Sequence, residues 1–375
     1  MSLRDSTLAA ATEFRTGQLL AKLCPQIKFC QRDYPIGMTI LERTDKPLLI
    51  AGKPSESYCM GSVTMIKTVD TRHLWYSSYD SHYDCDCDDH LCCARSQDEV
   101  HWEKPNLERV PFEGNNNTNI LIDGRKIRAN TPTVFLDEDA PAAERYKALL
   151  QKFLAFDANK EAIWHGHGAA SPDGLHWKVA EKSHYPWNSD TQNECIWDKD
   201  RYGMYSRLWR AVDQAGKPLV TTKSKAKSRR TIGYTESPTF DSFPKAQEIL
   251  APDSEDPSDI GMYANGCAKL RDGLYVMFIS CISTKKNVFP VQAAFSADEK
   301  VFHRLANKPI FDLGRDFDSR QIYVSPRAIP GDTPDSYWFY YFGTAMARDQ
   351  NYPDKVHYGG GVGRLLVQIT GSQAS

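Results

Sequence analysis

Short apolar stretches, rich in aromatic and β-branched residues, recur along the whole chain and are separated by glycine, proline, asparagine and aspartate. Clear examples are LYVMFISC at 274–281 and SYWFYYFGTAM at 336–346. Runs of this length between turn-forming residues predict β-strands, whereas the spacing typical of long amphipathic helices is almost absent. The pattern therefore predicts an all-β fold.

Two of these stretches lead into the same tight turn, SQDEVHW at 96–102 and SPDGLHW at 171–177. In such a turn the serine and aspartate side chains can accept hydrogen bonds from backbone amides, and glycine supplies a positive φ. The tryptophan can then pack between neighbouring sheets. More divergent copies follow Ser237 and Ser296. A turn that recurs in register with the strands before it indicates a repeat architecture.

The chain contains five such units of roughly 60 to 75 residues, each with three or four predicted strands. Their first strands begin at CMGSV (59–63), ANTPT (129–133), SDTQNE (189–194), MYANG (262–266) and DFDSRQ (316–321). Five units of this kind predict a single five-bladed β-propeller domain over residues 35–375. Residues 1–34 form an N-terminal extension that the sequence predicts to be helical. His101 and His176 share one repeat position, which favours a role in turn packing over catalysis.

Acidic residues lie where the predicted innermost strands begin. Asp190 precedes Gln192 and Glu194, and side chains that alternate along a strand place these three on one side. Asp318 occupies the matching position of the fifth unit. Burying a charged group costs free energy, so a carboxylate at such a position suggests a function. Glycoside hydrolysis usually requires two carboxylates, one on each side of the sugar bond. Asp190, Glu194 and Asp318 are therefore candidate catalytic residues, although either aspartate could instead cap the turn that enters its strand.

Other polar and aromatic residues at the same ends of the predicted strands, or at the rim, are candidate substrate-binding residues. They are Gln192, Asn130, Tyr263, Asn265, Arg320, Asp80 and Trp187. Aromatic side chains can stack on sugar faces, although each is also a typical core residue.

Four segments together carry a resemblance to a known group of enzymes. They are SPDGLHW, DTQNECIWD (190–198), ERYKALL (144–150) and FDSRQIY (317–323). With them the chain, from residue 35 onward, resembles five-bladed propeller glycosidases related to glycoside hydrolase families 32 and 43, in particular a family-32-like set. The resemblance implies carboxylate chemistry by three acids, on the first, second and third blades.

Glu194 and Cys195 are similar to the third motif of those enzymes, a glutamate acid often followed by cysteine. The first inner strand, CMGSVTM, contains no carboxylate, and the second, NTPTVFL, contains no Arg-Asp-Pro. Asp190 and Asp318 would therefore have to take the place of the two other acids, or the protein would be a binding relative without hydrolysis.

The charge balance excludes some partners. With 46 basic and 48 acidic residues and a net charge of −2, the chain has no global attraction to nucleic acid or to an anionic membrane. The expected partner is an oligosaccharide or glycoside substrate, and nothing in the sequence predicts an oligomeric state. The first residues lack the apolar core of a secretory signal, which favours a cytoplasmic protein, or a secreted one whose signal has been removed.

Four of the ten cysteines lie in CDCDDHLCC at 85–93. Their spacing in one short hairpin makes a poor tetrahedral cage, so the sequence predicts no metal site there. We expect no cofactor, with Ca²⁺ held by channel carboxylates as the alternative.

The leading interpretation is a glycoside hydrolase that acts on a furanoside or a short oligosaccharide. Glu194 would be the proton donor, and Asp190 or Asp318 the nucleophile, base or charge stabiliser. The alternatives are a non-catalytic carbohydrate-binding propeller, and a lyase or transglycosylase on the same scaffold.

Overall fold

Five strands form an inner ring, and each is the first strand of one antiparallel sheet. They are β4 (Cys59–Lys67), β9 (Ala129–Leu136), β13 (Glu194–Asp198), β17 (Ile260–Arg271) and β21 (Gln321–Pro330). Each packs against the next, and β21 packs against β4 to complete the ring. The computed structural model describes residues 27–28, 36–69, 72–80, 89–158, 160, 162–189, 192–211, 228–305, 308–347 and 360–371. Over these residues the predicted all-β, five-bladed propeller is confirmed.

The remaining strands complete the blades, numbered here in chain order. Blade 1 adds β5 (Arg72–Tyr79), β6 (His90–Ser96) and β7 (Trp102–Glu103), with β8 (Ile120–Ile122) paired to β6. Blade 2 adds β10 (Tyr146–Phe156), β11 (Ala162–Ser171) and β12 (Lys178–Val179). Blade 3 adds β14 (Arg201–Ala211), β15 (Ser228–Ser237) and β16 (Gln247–Leu250). Blade 4 adds β18 (Leu274–Ser283), β19 (Val291–Ser296) and β20 (His303–Arg304).

Blade 5 combines strands from both ends of the chain. To β21 it adds β22 (Ser336–Thr344), β23 (Gly360–Gly371), β2 (Ile36–Arg43) and β1 (Ile27–Lys28), and β3 (Leu49–Ile50) pairs with β23. Strand β2 runs antiparallel to β23, with Met38 opposite Ile369 and Ile40 opposite Val367. The first part of the chain therefore completes the last blade and closes the ring.

Helix is scarce in the described residues. The one α-helical turn, α1 (Gly124–Ile127), begins after Asp123, whose side chain accepts a hydrogen bond from the backbone N–H of Lys126 at 3.4 Å. Within the predicted helical extension 1–34, the described residues Ile27–Lys28 form strand β1 instead, and the others lie outside the described residues. No helix in the described ranges is long and apolar enough to span a membrane.

The strands are buried on both faces because each blade packs between two others. On β18, Val276 and Phe278 enter the core between blades 4 and 5, while Met277 and Ile279 enter the core between blades 3 and 4. Successive side chains point to opposite faces of a strand, so a strand between two cores needs a continuous apolar run. This explains why LYVMFISC contains no alternation of polar residues.

The repeated turn of blade 1 has the hydrogen bonds that the sequence predicts. Ser96 Oγ accepts from the backbone N–H groups of Asp98 at 3.2 Å and Glu99 at 2.8 Å. Asp98 Oδ1 accepts from the N–H groups of Val100 at 3.0 Å and His101 at 2.8 Å. Two short side chains thus satisfy four backbone donors in one tight turn.

Blades 2 and 4 repeat this arrangement with Ser171 and Asp173, and with Ser296 and Asp298. The residue after each aspartate has a left-handed backbone, with φ of 67° at Glu99, 75° at Gly174 and 69° at Glu299. In two of these turns a histidine ring nitrogen lies 2.6 Å from the aspartate of its own turn; the histidines are His101 and His176.

Candidate active site

The inner strands surround a channel, and four of them line one cavity near their ends. A cavity of about 240 Å³ at one end of the channel is lined by residues 65–67 of β4, 135–136 of β9, 196–197 of β13 and 327–330 of β21. These are the final residues or final halves of the four strands. The first residues of the longer strands β4, β9 and β21 therefore lie toward the opposite end of the channel, here called the entrance, whereas the first residue of the short β13 lies level with Cys267 in the second half of β17.

Glu194 is the first residue of β13, and its side chain is fully buried. Cys267 on β17 donates its backbone N–H to Glu194 Oε2 at 2.8 Å, whereas Oε1 has no hydrogen-bond partner among the described residues. Burial raises the pKa of Glu194 well above its usual range, against the opposing effects of the Cys267 N–H and the charge of Arg327. A carboxyl group whose pKa is raised in this way holds its proton to higher pH than an exposed glutamate and can serve as an acid.

A hydrogen-bond network holds the backbone that leads into Glu194. Ser189 Oγ donates to Asn193 Oδ1 at 2.8 Å, and Asn193 Nδ2 donates to Gln151 Oε1 at 2.7 Å. From β9, Thr133 Oγ1 donates to the carbonyl oxygen of Asn193 at 2.6 Å. Blades 2 and 3 are thereby joined beside Glu194, which limits how far its backbone can move.

Arg327 of β21 reaches across the ring from blade 5. Its Nη2 donates to the carbonyl oxygen of Cys195 at 2.8 Å and lies 3.5 Å from the carbonyl oxygen of Val134. One guanidinium group therefore contacts the inner strands of blades 3 and 2. Burial lowers the pKa of Arg327, while the nearby Glu194 acts to raise it. Arg327 is not among the residues predicted from the sequence, although an arginine inside an inner strand is a usable signal.

Three predicted polar residues lie on, or just before, three different inner strands near the entrance. Gln192, just before β13, accepts a hydrogen bond at Oε1 from Ser62 Oγ of β4 at 3.3 Å. Asn130 is buried near the start of β9. Asn265 is buried on β17, and its Oδ1 has no hydrogen-bond partner in the described part of the chain.

Tyr263 on β17 lies against two arginines. The guanidinium carbons of Arg207 and Arg230 are 4.0 Å and 5.2 Å from the centre of its ring, and Arg207 Nε donates to its carbonyl oxygen at 2.8 Å. The ring of Phe289 packs edge-on at 4.8 Å. The guanidinium groups of Arg207 and Arg230 therefore restrain the position of the Tyr263 ring. The two arginines, which are not predicted from the sequence, lie on β14 and β15 and reach this ring only through the fold.

The structure does not bring Asp318 to Glu194. The Asp318 carboxylate forms an ion pair with Arg43 of β2, and the hydroxyl group of Tyr341 on β22 donates to its Oδ2 at 2.9 Å. These partners lie on the second and fourth strands of blade 5, β22 and β2, so this carboxylate is engaged within blade 5 and not with blade 3. Asp318 is thus a structural ion-pair residue, which corrects the prediction that it shares a cavity with Glu194.

Asp80 is buried at the end of β5 rather than open to the channel. Its Oδ2 lies 3.5 Å from Nε2 of His90 and 3.6 Å from Nη1 of Arg125. The carboxylate therefore lies among blade 1 and α1 side chains, and its contact with a substrate stays a prediction.

The remaining predicted residues differ in exposure. Trp187 is 42% exposed, with Nζ of Lys245 5.7 Å from the centre of its ring. Arg320 is exposed just before β21. Asp190 lies outside the described residues.

No three histidine, cysteine, aspartate or glutamate side chains converge as metal ligands within the described ranges. In the cysteine-rich segment, Cys92 and Cys93 are buried on β6. Burial raises the pKa of both thiols, that of Cys93 to about 12. Cys85 and Cys87 lie outside the described residues.

No protein-family model matches the chain, and no curated protein sequence matches it. Solved structures share its fold. An N-acetylgalactosamine deacetylase from F. plautii, in complex with blood group B trisaccharide, has a TM-score of 0.58 at 12% identity, over 87% of this chain and 94% of that one. An α-L-arabinofuranosidase from Podospora anserina, in complex with cellotriose, has a TM-score of 0.54 at 13% identity, over 86% and 95%. A putative glycoside hydrolase from Parabacteroides distasonis has a TM-score of 0.54 at 13% identity, over 89% and 97%. At these identities the likeness shows the propeller fold.

Proposed function

We propose that this protein is a carbohydrate-active enzyme, a glycoside hydrolase that cleaves a furanoside or a short oligosaccharide in the central channel. The observation that carries the proposal is Glu194, a buried carboxyl group on an inner strand whose pKa is raised by burial. The solved structures similar in fold, which include an arabinofuranosidase in complex with a saccharide, support the substrate class.

The leaving oxygen of a glycoside must receive a proton as the bond to the anomeric carbon breaks. Burial raises the pKa of Glu194 and so favours its protonated form, which can supply this proton. The Cys267 N–H holds one carboxyl oxygen, and the other, Oε1, is buried without a hydrogen-bond partner among the described residues, so proton donation requires that the substrate reach this oxygen through a local movement. Glu194 is thus proposed as the proton donor.

A glycosidase of this type needs a second carboxylate. Asp318 is engaged by Arg43, so we assign the second role to Asp190, four residues before Glu194. Asp190 would act as nucleophile, base or charge stabiliser. The residues that would orient the sugar are Gln192, Asn130 and Asn265.

The test is the variant Glu194→Gln, which keeps the shape of the side chain and removes the transferable proton. Wild type and variant are assayed on a panel of furanosides and oligosaccharides, with 4-nitrophenyl and unactivated leaving groups. We expect kcat on unactivated substrates to fall by about 10²–10⁴. The loss should be smaller for 4-nitrophenyl substrates, because that leaving group needs little protonation.

Asp318→Asn is the matched control, because it alters a buried carboxylate outside the channel. It should lower the free energy of unfolding and leave the kcat of the folded protein close to wild type. Equal losses of kcat in both variants, or no loss in Glu194→Gln, would contradict the role of Glu194.

A second candidate function is saccharide binding without hydrolysis. It is favoured by one observation: in the described residues, the five inner strands carry only two carboxylates, Glu194 and Asp198, and Asp198 is paired with Lys269. Under this alternative no glycoside in the panel is cleaved, and isothermal titration shows that Glu194→Gln retains the saccharide affinity of wild type.

A further inference from the structure

We propose, on the premise of the glycosidase function above, that Arg327 is a positioning residue for Glu194. It fixes the start of β13 from across the ring, and it holds a positive charge near the carboxylate that Glu194 becomes on donating its proton.

Strand β21 is irregular at the residues that aim Arg327. Val324 lies opposite Tyr341 and Ala328 opposite Phe339, so that residues 325–327 stand against the single residue Tyr340. Extra residues of this kind form a bulge, which redirects side chains out of the ordinary alternation. Pro326 lies in the bulge and has no N–H to leave unsatisfied there. The local geometry of β21 thus turns an arginine toward the axis of the ring.

The contacts of Arg327 lead to β13. Its Nη2 donates to the carbonyl oxygen of Cys195, the residue after Glu194, at 2.8 Å. Its Nη1 lies 3.4 Å from the carbonyl oxygen of Pro326, and its Nε is buried without a hydrogen-bond partner among the described residues. The bond to Cys195 restrains the backbone on one side of Glu194, while the Cys267 N–H restrains its carboxyl group on the other.

The charge of Arg327 has no ion-pair partner within the described ranges. Arg327 is half-buried and lines the cavity at the end of the channel, so its charge is partly removed from water without an ion-pair partner to offset that cost. The acid that interacts with it electrostatically is Glu194. The electrostatic stabilisation of the guanidinium is therefore greatest when Glu194 is ionised. Glu194 is in this state after it has transferred its proton to the glycosidic oxygen.

The other titratable groups close to Glu194 carry no charge at neutral pH. They are Cys195 on the same strand, Tyr205 opposite it on β14, and Cys267 on β17. Burial raises the pKa of all three. Arg207, next on the same face of β14, is engaged with Tyr263. Of the described residues, Arg327 is thus the charged group that acts on the proton of Glu194.

A positive charge favours the carboxylate, so removing it makes Glu194 a weaker acid. Glu194 must be protonated to donate, so the alkaline limb of the pH–rate profile moves to higher pH in Arg327→Met. The value of kcat falls, because a weaker acid gives up its proton less readily. In Arg327→Lys the charge is kept, so the alkaline limb should stay near that of wild type.

The experiment compares wild type, Arg327→Met and Arg327→Lys by pH–rate profiles and by direct titration of the Glu194 carboxyl group. The titration uses infrared difference spectra against Glu194→Gln. We expect the midpoint to rise by roughly 1–3 pH units in Arg327→Met and to change little in Arg327→Lys. The control is Arg364→Met, which removes an arginine on β23 that stacks on Trp338 at 4.0 Å and should leave the midpoint unchanged.

An unchanged midpoint in Arg327→Met, or equal shifts in Arg327→Met and Arg327→Lys, would overturn the proposal. Should Arg327→Met fail to fold, Arg327→Gln provides the uncharged variant. If wild type cleaves no glycoside, the proposed function fails, but the carboxyl titration still decides whether Arg327 acts on Glu194. The two failures are therefore distinguishable.

Discussion

A carboxyl group removed from water holds its proton more tightly, and Glu194 shows how its neighbours limit that effect. Burial raises its pKa, while the Cys267 N–H and the Arg327 charge act against burial. Asp318 is also buried, but it meets Arg43 and Tyr341 directly and is an ordinary ion-pair partner. The chemistry open to a buried acid is thus set by which groups reach it.

The neighbours of Gly174 likewise determine which residue type this position can accept. This glycine has φ of 75°, and a Cβ at this position would lie 2.5 Å from Cζ2 of Trp75. Its carbonyl oxygen accepts hydrogen bonds from the indole N–H groups of Trp75 and Trp177, each at 2.8 Å. The turn of blade 2 therefore needs glycine both for its backbone conformation and for the close approach of an indole ring.

We expect Gly174→Ala to lower the free energy of unfolding by roughly 1–3 kcal/mol, through left-handed strain and overpacking against Trp75. Urea denaturation followed by fluorescence measures the change. The control is Glu99→Ala at the equivalent turn position, where the loss of ion pairs with Lys67 and Arg72 should cost less than about 1 kcal/mol. A larger loss in Glu99→Ala than in Gly174→Ala would contradict the steric explanation.

At the scale of the element, the repeated turn joins the third and fourth strands of a blade with two short side chains. In blade 2, partial burial acts to raise the pKa of Asp173, but the N–H groups of His176 and Leu175 and the His176 ring lower it to about 2. The carboxylate is therefore better stabilised in the folded turn than in the unfolded chain, whose aspartates titrate near pH ~4.

This difference predicts a pH dependence of stability. A lowered pKa contributes stability that is complete above about pH 4 and is lost as the pH falls toward about 2. We expect Asp173→Asn to be less stable than wild type at pH 7 by roughly 0.5–1.5 kcal/mol. Its free energy of unfolding should also decline less than that of wild type between pH 4 and pH 2, as measured by urea denaturation at a series of pH values.

Asp45→Asn, at an exposed position outside these turns, serves as the control. It should follow the wild-type curve over the whole series. If Asp173→Asn and wild type lose stability in parallel on acidification, the turn carboxylate is not the source of the dependence.

At the scale of the whole molecule, the ring is closed by pairing between strands from opposite ends of the chain. Ile40 of β2 is 4% exposed and lies in the core that also contains Val367 of β23. The same β2 supplies Arg43, which neutralises Asp318. Closure of the propeller therefore depends on apolar packing and on one ion pair between segments more than 250 residues apart.

Ile40→Ala should lower the free energy of unfolding by about 2–5 kcal/mol, because it leaves a cavity in the core beside β23. The matched control is Thr39→Ala on the same strand, which is half-buried and should cost less than about 1 kcal/mol. Urea denaturation gives both values, and limited proteolysis reports whether β2 detaches first. Similar losses of unfolding free energy in both variants would show that the pairing of β2 with β23 does not depend on the buried face of β2.

Much of the architecture could be predicted from the sequence because each unit carries its own local signals. The turn hydrogen bonds of Ser96 and Asp98 arise within four residues, so their side-chain types alone suggest them. Glu194 could be assigned to an inner strand because the order of strands is the same in every unit. Asp318 was misassigned because its partner, Arg43, is remote in the chain.

Local pattern determined the strands, the turns, the number of blades and the presence of an acid at the start of β13. Only the tertiary structure decided that β2 completes blade 5, that Asp318 pairs with Arg43, and that Arg327 reaches Cys195 from across the ring. Strand and turn preferences depend on residues a few positions apart, whereas ring closure and the electrostatics of Glu194 depend on groups that are neighbours only after the blades have packed.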